Sequence, residues 1–193
     1  MLIEQERQLL VNQPDMNVRI FACELSNMLR ISPEVISHKL EIYPKSKPIR
    51  QKVRRLNSDR KQIVQLEISR LLDVGFIWEV YYLDWLVNVV VVPKKRGQMG
   101  GLIDFNDLNE ACPKDIFPLP HIDQIVDATS GHKMLSFMDA FSYYNQIPMY
   151  PPNLEKTTFI TLFGTFCYHV VTFGLKNARV TYQRLMKKYS IQC

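Results

Sequence analysis

The chain has 193 residues, of which 47% are hydrophobic and 22% charged, so it can bury a sizeable core and is not an intrinsically disordered chain. Its 24 Lys and Arg against 19 Asp and Glu give a formal net charge of +5, which favours a polyanionic partner only modestly. Four cysteines and four histidines are scattered without a CxxC pair, which indicates neither a zinc site nor a disulfide framework.

The N-terminus does not have the pattern of a signal peptide. Glu4, Glu6 and Arg7 interrupt the first ten residues, where a signal peptide would have an apolar core. The longest apolar stretch, residues 86–92, is too short to cross a bilayer. We therefore expect an intracellular chain, cytoplasmic or nuclear, whose first 40 or so residues form an irregular leader.

The composition changes abruptly at residues 45–55, the basic segment. Prolines at positions 44 and 48 forbid a regular helix, so we expect extended backbone in which Arg50, Lys52 and Arg54 project to the same side. That spacing suits a phosphate backbone, although a solvated basic linker explains the composition equally well. The cations of the segment are Lys45, Lys47, Arg50, Lys52, Arg54 and Arg55.

A helix is predicted directly after the basic segment. Asn57 or Ser58 can cap its start, and Gly75 can end it. Apolar residues recur at helical spacing on one face. They are Val64, Ile68, Leu71 and Leu72.

Two apolar runs, residues 89–92 and 102–105, predict the strands of a hairpin. The loop between them begins with three cations, which we call the hairpin tip. Basic side chains at such a tip can close over a triphosphate, although a charged tip more often only aids solubility. The tip consists of Lys94, Lys95 and Arg96.

The second half of the chain alternates predicted helices and strands. A short helix is expected between Pro120 and Gly131, then a strand at residues 134–138 that ends at Asp139. An Asp that follows a strand is more often a turn or helix cap than a metal ligand. A second hairpin is predicted from residues 157–161 and 166–171, and a last helix is predicted after Gly174, at residues 178–188.

Longer motifs follow one another in a specific order: PEVISHKL at 33–40, LLDVGFIWEV at 71–80, DWLVNVVVVPKK at 84–95, DFNDLNEACPKDIFPLPHIDQIVDATSGH at 104–132, LSFMDAFSYYNQI at 135–147 and FGLKNARVTYQRL at 173–185. From about residue 20 onward this order closely resembles the reverse transcriptase of gypsy-type LTR retrotransposons, especially those of plants. The resemblance implies an α+β fold of the right-hand polymerase type, with fingers and an incomplete palm whose antiparallel sheet is flanked by helices.

The resemblance also implies a division of the chain. Residues 1–40 resemble the connector between protease and polymerase, residues 41–133 the fingers and the start of the palm, and residues 134–193 the palm. We expect this chain to lack the Tyr-X-Asp-Asp hairpin, the thumb and the RNase H domain, because none of their motifs follows in the sequence.

Roles are implied position by position. Asp139 matches the first catalytic, metal-binding aspartate, and Tyr144 matches the aromatic gate that excludes ribonucleotides. Phe173 and Gly174 match the motif that lines the incoming nucleotide and template, and the hairpin tip matches the fingers loop that contacts the triphosphate. The basic segment and a hairpin at residues 104–109 would guide the template and primer.

The implied activity is RNA-directed DNA polymerisation, with dNTP substrates, an RNA or DNA template-primer and Mg²⁺. Two Mg²⁺ ions need several carboxylate oxygens, and no Tyr-X-Asp-Asp sequence accompanies Asp139. We therefore expect the chain not to polymerise by itself. A nucleic-acid-binding remnant without catalysis and a pseudogene product without a selected role are the alternatives.

Five further residues depart from the pattern of the family that the chain resembles. Met99 and Gly100 stand where a Trp-Arg pair is usual, Tyr143 stands where a Gly precedes the gate, Thr172 replaces a Pro, and Arg179 replaces a small residue. Together they indicate an element that is no longer selected for polymerase activity.

Overall fold

A computed structural model describes residues 24, 27–81, 83–93, 99–118, 121–132 and 142–190. The helices are α1 (Ser58–Asp73), α2 (Asn106–Glu110), α3 (Ile122–Thr129) and α4 (Ala178–Ser190), and Tyr143–Gln146 and Pro151–Thr157 form 3-10 helices. The strands are β1 (Ile77–Glu79), β2 (Val87–Pro93), β3 (Met99–Ile103), β4 (Phe159–Thr161) and β5 (Gly164–Tyr168). Within these ranges, no helix combines the length and apolar character that a membrane span requires.

The strands form one sheet of five in the order β1-β5-β4-β2-β3. Three of the pairings are antiparallel, and β2 pairs with β4 in parallel, with Val87 opposite Phe159. The central pairing therefore joins strands that are about 70 residues apart in sequence. With helix α1 packed beside this sheet, the chain has the α+β architecture that the sequence predicted.

The predicted helix after the basic segment is confirmed as α1. The Asn57 side-chain oxygen accepts a hydrogen bond from the Arg60 N–H at 3.1 Å, and Gly75 follows the helix with a φ of +67°. Leu71 is buried on the side facing the sheet, whereas the expectation that Leu72 shares this face was wrong, because it is 40% exposed. Adjacent helical residues lie about 100° apart, so only one of the two can face the sheet.

The first predicted hairpin is confirmed as β2 and β3, with different bounds. Strand β3 begins at Met99, because Gly100 and Gly101 still pair with β2 despite their low strand propensity, and it ends before Phe105. A hairpin at residues 104–109 is wrong, since helix α2 occupies this stretch and buries Leu108 completely.

The predicted elements of the second half are confirmed where the structure describes them. Helix α3 lies within its predicted bounds, and the His121 N–H donates to Gln124 Oε1 at 3.3 Å at its start. The second hairpin is β4 and β5, shorter than predicted, because Thr157 belongs to a 3-10 helix and Val171 lies beyond β5. Helix α4 matches the last predicted helix, and the strand predicted at residues 134–138 lies outside the described residues.

The leader packs onto the body of the domain from residue 30 onward. The Ile31 N–H donates to the Gln146 carbonyl at 2.9 Å, and the His38 N–H donates to the Pro148 carbonyl at 2.9 Å. Asn153 is buried, and its side-chain amide bonds to both the N–H and the carbonyl of Leu40. These contacts make residues 30–43 part of the folded unit.

His38, within this leader, is fully buried against helix α4. Its Nδ1 lies 2.7 Å from the Thr181 hydroxyl of α4, and its exposed fraction is 0%. Burial lowers the pKa of the imidazole to about 4, because the charged form would lose its hydration. The folded chain therefore holds His38 neutral at pH values where the unfolded chain protonates it.

We predict that the free energy of unfolding falls as the pH decreases from about 6.5 to 4, because only the unfolded state takes up this proton. His38→Gln should remove up to about 3 kcal/mol of this pH dependence, the equivalent of the pKa difference. Urea unfolding of both proteins at several pH values measures it. If the free energy of unfolding depended on pH equally in the wild type and the variant, His38 would not be the residue responsible.

Candidate functional site

The basic segment lies extended along the start of β2. The Gln51 N–H donates to the Leu86 carbonyl at 2.8 Å, and the Leu86 N–H donates to the Ile49 carbonyl at 2.9 Å, so the two stretches run side by side. All six cations of the segment are exposed, and no acidic residue lies within it. The sequence expectation of an extended, solvent-facing run of positive charge is confirmed.

Asn88 holds the basic segment from inside β2. Its side chain is 2% exposed, and it donates to Gln51 Oε1 and to the Lys52 carbonyl at 2.9 Å each. Its Oδ1 accepts the Arg54 N–H at 2.9 Å. Asn88 was not among the predicted site residues, although an asparagine within a run of valines is a signal for such a role, because a buried amide needs partners.

The charges of the basic segment are largely uncompensated. Arg54 forms an ion pair with Asp104 at 3.2 Å, in which the arginine side chain is 50% exposed, so its contribution to stability is small. Arg50 and Lys52 form no ion pair with the described residues. The basic segment therefore forms a band of positive charge on backbone that is held in place.

A second group of residues is aromatic. The ring centroids of Tyr144 and Phe173 lie 5.1 Å apart, edge to face, although the two residues are 29 positions apart in sequence. The pKa of Tyr144 is raised to about 12, mainly by burial and secondly by a hydrogen bond with Tyr143. The structure therefore brings together the two positions that the resemblance assigned to the nucleotide pocket.

Tyr143 fills space beside this pair. Its ring centroid lies 4.2 Å from that of Tyr144 and 4.4 Å from that of Tyr182 on α4. Positive φ occurs at Ser142 and not at Tyr143, so the backbone accepts a side chain where the resembled family has glycine. The departure at this position thus adds a ring to the cluster without backbone strain.

The turn at Gly174 is tied to helix α2. Gly174 has a φ of +92°, and its carbonyl accepts a hydrogen bond from Asn109 Nδ2 at 2.7 Å. Asn109 Oδ1 accepts the Lys176 N–H at 2.7 Å, and the Lys176 ammonium donates back to the Asn109 carbonyl at 2.9 Å. Asn109 therefore fixes the backbone that presents Phe173.

A cleft of about 700 Å³ opens beside this turn. Lys114, Lys176 and Arg179 contribute positive charge to its lining, and Asp115 on its wall is paired with Arg184. Arg179, one of the departures from the resembled pattern, is exposed on the first turn of α4. The cleft is thus lined mainly by apolar surface, and most of its charged groups are cations.

Some predicted site residues lie outside the described residues. They are Asp139 and the three cations of the hairpin tip, Lys94, Lys95 and Arg96. The strands that the tip connects, β2 and β3, are described and paired, with Pro93 opposite Met99. The roles of these four residues stay predictions.

The described part of the chain has no group of three or more His, Cys, Asp and Glu side chains that could hold a metal ion. Asp139 lies outside that part, and no Tyr-X-Asp-Asp occurs in the 193 residues. Within the described ranges, therefore, no carboxylates lie together as the ligand group that two Mg²⁺ ions require.

Comparison with known proteins identifies related sequences. The family described as reverse transcriptase (RNA-dependent DNA polymerase) matches residues 92–193. The Pol polyprotein of transposon 297 from Drosophila melanogaster is 30% identical over 155 residues, which cover 78% of this chain and 14% of that protein. The Tf2-3 polyprotein of Schizosaccharomyces pombe is 29% identical over 124 residues, 64% of this chain and 9% of that protein.

Solved structures show the same fold. The Prototype Foamy Virus protease-reverse transcriptase, as a selenomethionine-labelled mutant, matches with a TM-score of 0.79 at 18% identity, covering 96% of this chain and 25% of that one. The foamy viral protein in complex with double-stranded DNA matches with a TM-score of 0.71 at 14% identity, covering 96% and 32%. At these identities the likeness shows the fold alone, and it confirms the right-hand polymerase architecture.

Proposed function

Because this chain belongs to the reverse transcriptase family of retrotransposon and retroviral Pol polyproteins, we propose that it binds the template-primer of a template-directed DNA polymerase. Its substrate in the assembled enzyme is an RNA or DNA template with dNTPs. The motifs quoted above favour a gypsy-type LTR element of plant origin. The chain spans 14% of the length of the transposon 297 polyprotein, so the complete activity belongs to a larger protein.

The observation that carries this proposal is the basic segment. Its six cations are exposed on backbone that β2 holds extended, and phosphate contacts supply most of the affinity of nonspecific nucleic-acid binding. A foamy viral relative of the same fold was solved with double-stranded DNA, which supports a nucleic-acid ligand for this architecture. A solvated linker would not need to be docked along a strand.

The nucleotide pocket is proposed at the aromatic cluster. Tyr144 and Phe173 lie in contact, and Asn109 fixes the turn that carries Phe173 and Gly174. The hairpin tip would contact the triphosphate. In this arrangement Tyr144 stands against the sugar, where an aromatic ring discriminates between deoxyribose and ribose by size.

The division of the chain follows from the same proposal. Residues 41–133 are the fingers and the start of the palm, residues 134–193 are palm, and residues 1–40 are the connector. The leader contacts to Gln146, Pro148 and Asn153 then join the connector to the palm.

Catalysis would require Mg²⁺, which activates the primer hydroxyl and stabilises charge on the transferred phosphate. Asp139 is the residue proposed to bind it. Because no Tyr-X-Asp-Asp sequence accompanies Asp139 in these 193 residues, we propose that they bind nucleic acid without extending a primer.

Binding to an RNA·DNA hybrid should be salt-sensitive, and replacing Arg50, Lys52 and Arg54 by alanine should lower the slope of log K against log salt by about 2 to 3. Fluorescence anisotropy at several salt concentrations measures this slope. A matched triple variant at Arg60, Lys61 and Lys187 removes the same charge elsewhere and should change the slope little. Equal slopes for the two triple variants would contradict the proposed surface.

In primer extension, the purified chain with Mg²⁺ or Mn²⁺ should incorporate no template-directed nucleotide, because a single aspartate gives too little negative charge for two divalent ions. A gel assay with labelled primer and an active reverse transcriptase as the positive control measures it. Incorporation that follows the template sequence and is lost in Asp139→Asn would show that the residues present suffice.

A further inference from the structure

We propose that Asn88 is a positioning residue for nucleic-acid binding, which holds the basic segment in the register that presents its cations together. The inference rests on the nucleic-acid binding proposed above. It adds a residue that carries no charge, is buried in a strand and touches no nucleic acid itself.

Both N–H groups and the oxygen of the Asn88 amide are bonded to the basic segment. Its Nδ2 donates to Gln51 Oε1 and to the Lys52 carbonyl, and its Oδ1 accepts the Arg54 N–H, each at 2.9 Å. All three bonds therefore end within four consecutive residues. The side chain is 2% exposed, so water cannot replace these partners without opening the strand.

These bonds decide which side chains face solvent. Gln51 is held inward by Asn88, and its Nε2 donates to Asp107 Oδ2 at 2.7 Å. Because alternate residues of extended backbone point to opposite sides, Arg50 and Lys52 are turned outward. A shift of the segment by one residue would bury the cations and break the amide's contacts.

The main chain of Asn88 connects the basic segment to the residue after β3. Its carbonyl accepts the Asp104 N–H at 3.0 Å, and Asp104 forms the ion pair with Arg54. Asn88 thus links the segment, β2 and the residue after β3. A segment held in this way does not have to lose backbone freedom when it binds a phosphate chain, which favours affinity.

Asn88→Leu tests the proposal, because leucine has a similar volume, keeps the net charge and removes all three hydrogen bonds. Asn153→Leu is the matched control. Asn153 is also buried, at 3% exposure, and its amide makes two bonds to the Leu40 backbone in the leader. The full chain is titrated with a labelled RNA·DNA hybrid at several salt concentrations, and circular dichroism melts report folding.

We expect Asn88→Leu to bind about tenfold more weakly than wild type with a shallower salt dependence, as fewer cations act together, while Asn153→Leu keeps the wild-type slope. Wild-type binding by a folded Asn88→Leu variant would overturn the proposal. So would equal losses in both variants, which would indicate general destabilisation. If Asn88→Leu does not melt cooperatively, Asn88→Ala at low temperature replaces it, with the same criteria.

The triple alanine variant separates this proposal from the proposed function. If the triple variant binds like wild type, the basic segment is not the binding surface and both proposals fail. If the triple variant binds weakly and Asn88→Leu binds like wild type, the surface is correct and the positioning role of Asn88 is wrong.

Discussion

The hydrogen bonds of one buried amide fix how residues 51–54 lie against strand β2. Strand β2 is otherwise valine-rich, and Asn88 in its interior needs partners that only the basic segment supplies. An unsatisfied buried amide costs about 1 to 3 kcal/mol, so the strand and the segment stabilise each other's position. The cations of the basic segment are exposed as a consequence, because they lie on the side of the segment that does not bond to Asn88.

The same logic recurs at the aromatic cluster. Asn109 bridges helix α2 and the Gly174 turn through its amide, so Phe173 meets Tyr144 at a fixed place. The sheet holds the two regions together, since β2, beside the basic segment, pairs with β4, and β4 pairs with β5, the strand that precedes this turn. Two asparagines, Asn88, which is buried, and Asn109, which is half-buried, therefore position the charged and aromatic groups of the proposed interface.

The sequence predicted the elements that have clear caps, apolar spacing or turn residues. Helix α1 followed from Asn57, its apolar spacing and Gly75, and the hairpins followed from apolar runs separated by turn residues. The elements and contacts that could not be predicted have weak local signals or join distant segments. Helix α2 is too short to show a period, β3 contains glycines that strand propensity disfavours, and the partners of Asn88 lie 34 to 37 positions away. The family resemblance named Tyr144 and Phe173, and their contact became visible only in the fold.

The central claim is that the basic segment is the surface on which nucleic acid lies. Lysine acetylation of the chain, read by mass spectrometry with and without a saturating RNA·DNA hybrid, tests it most directly, because each lysine reports its own accessibility. Lys45, Lys47 and Lys52 should become protected on binding, whereas Lys187 on α4 should keep its reactivity. Unchanged reactivity of the first three lysines in the bound state would contradict the account.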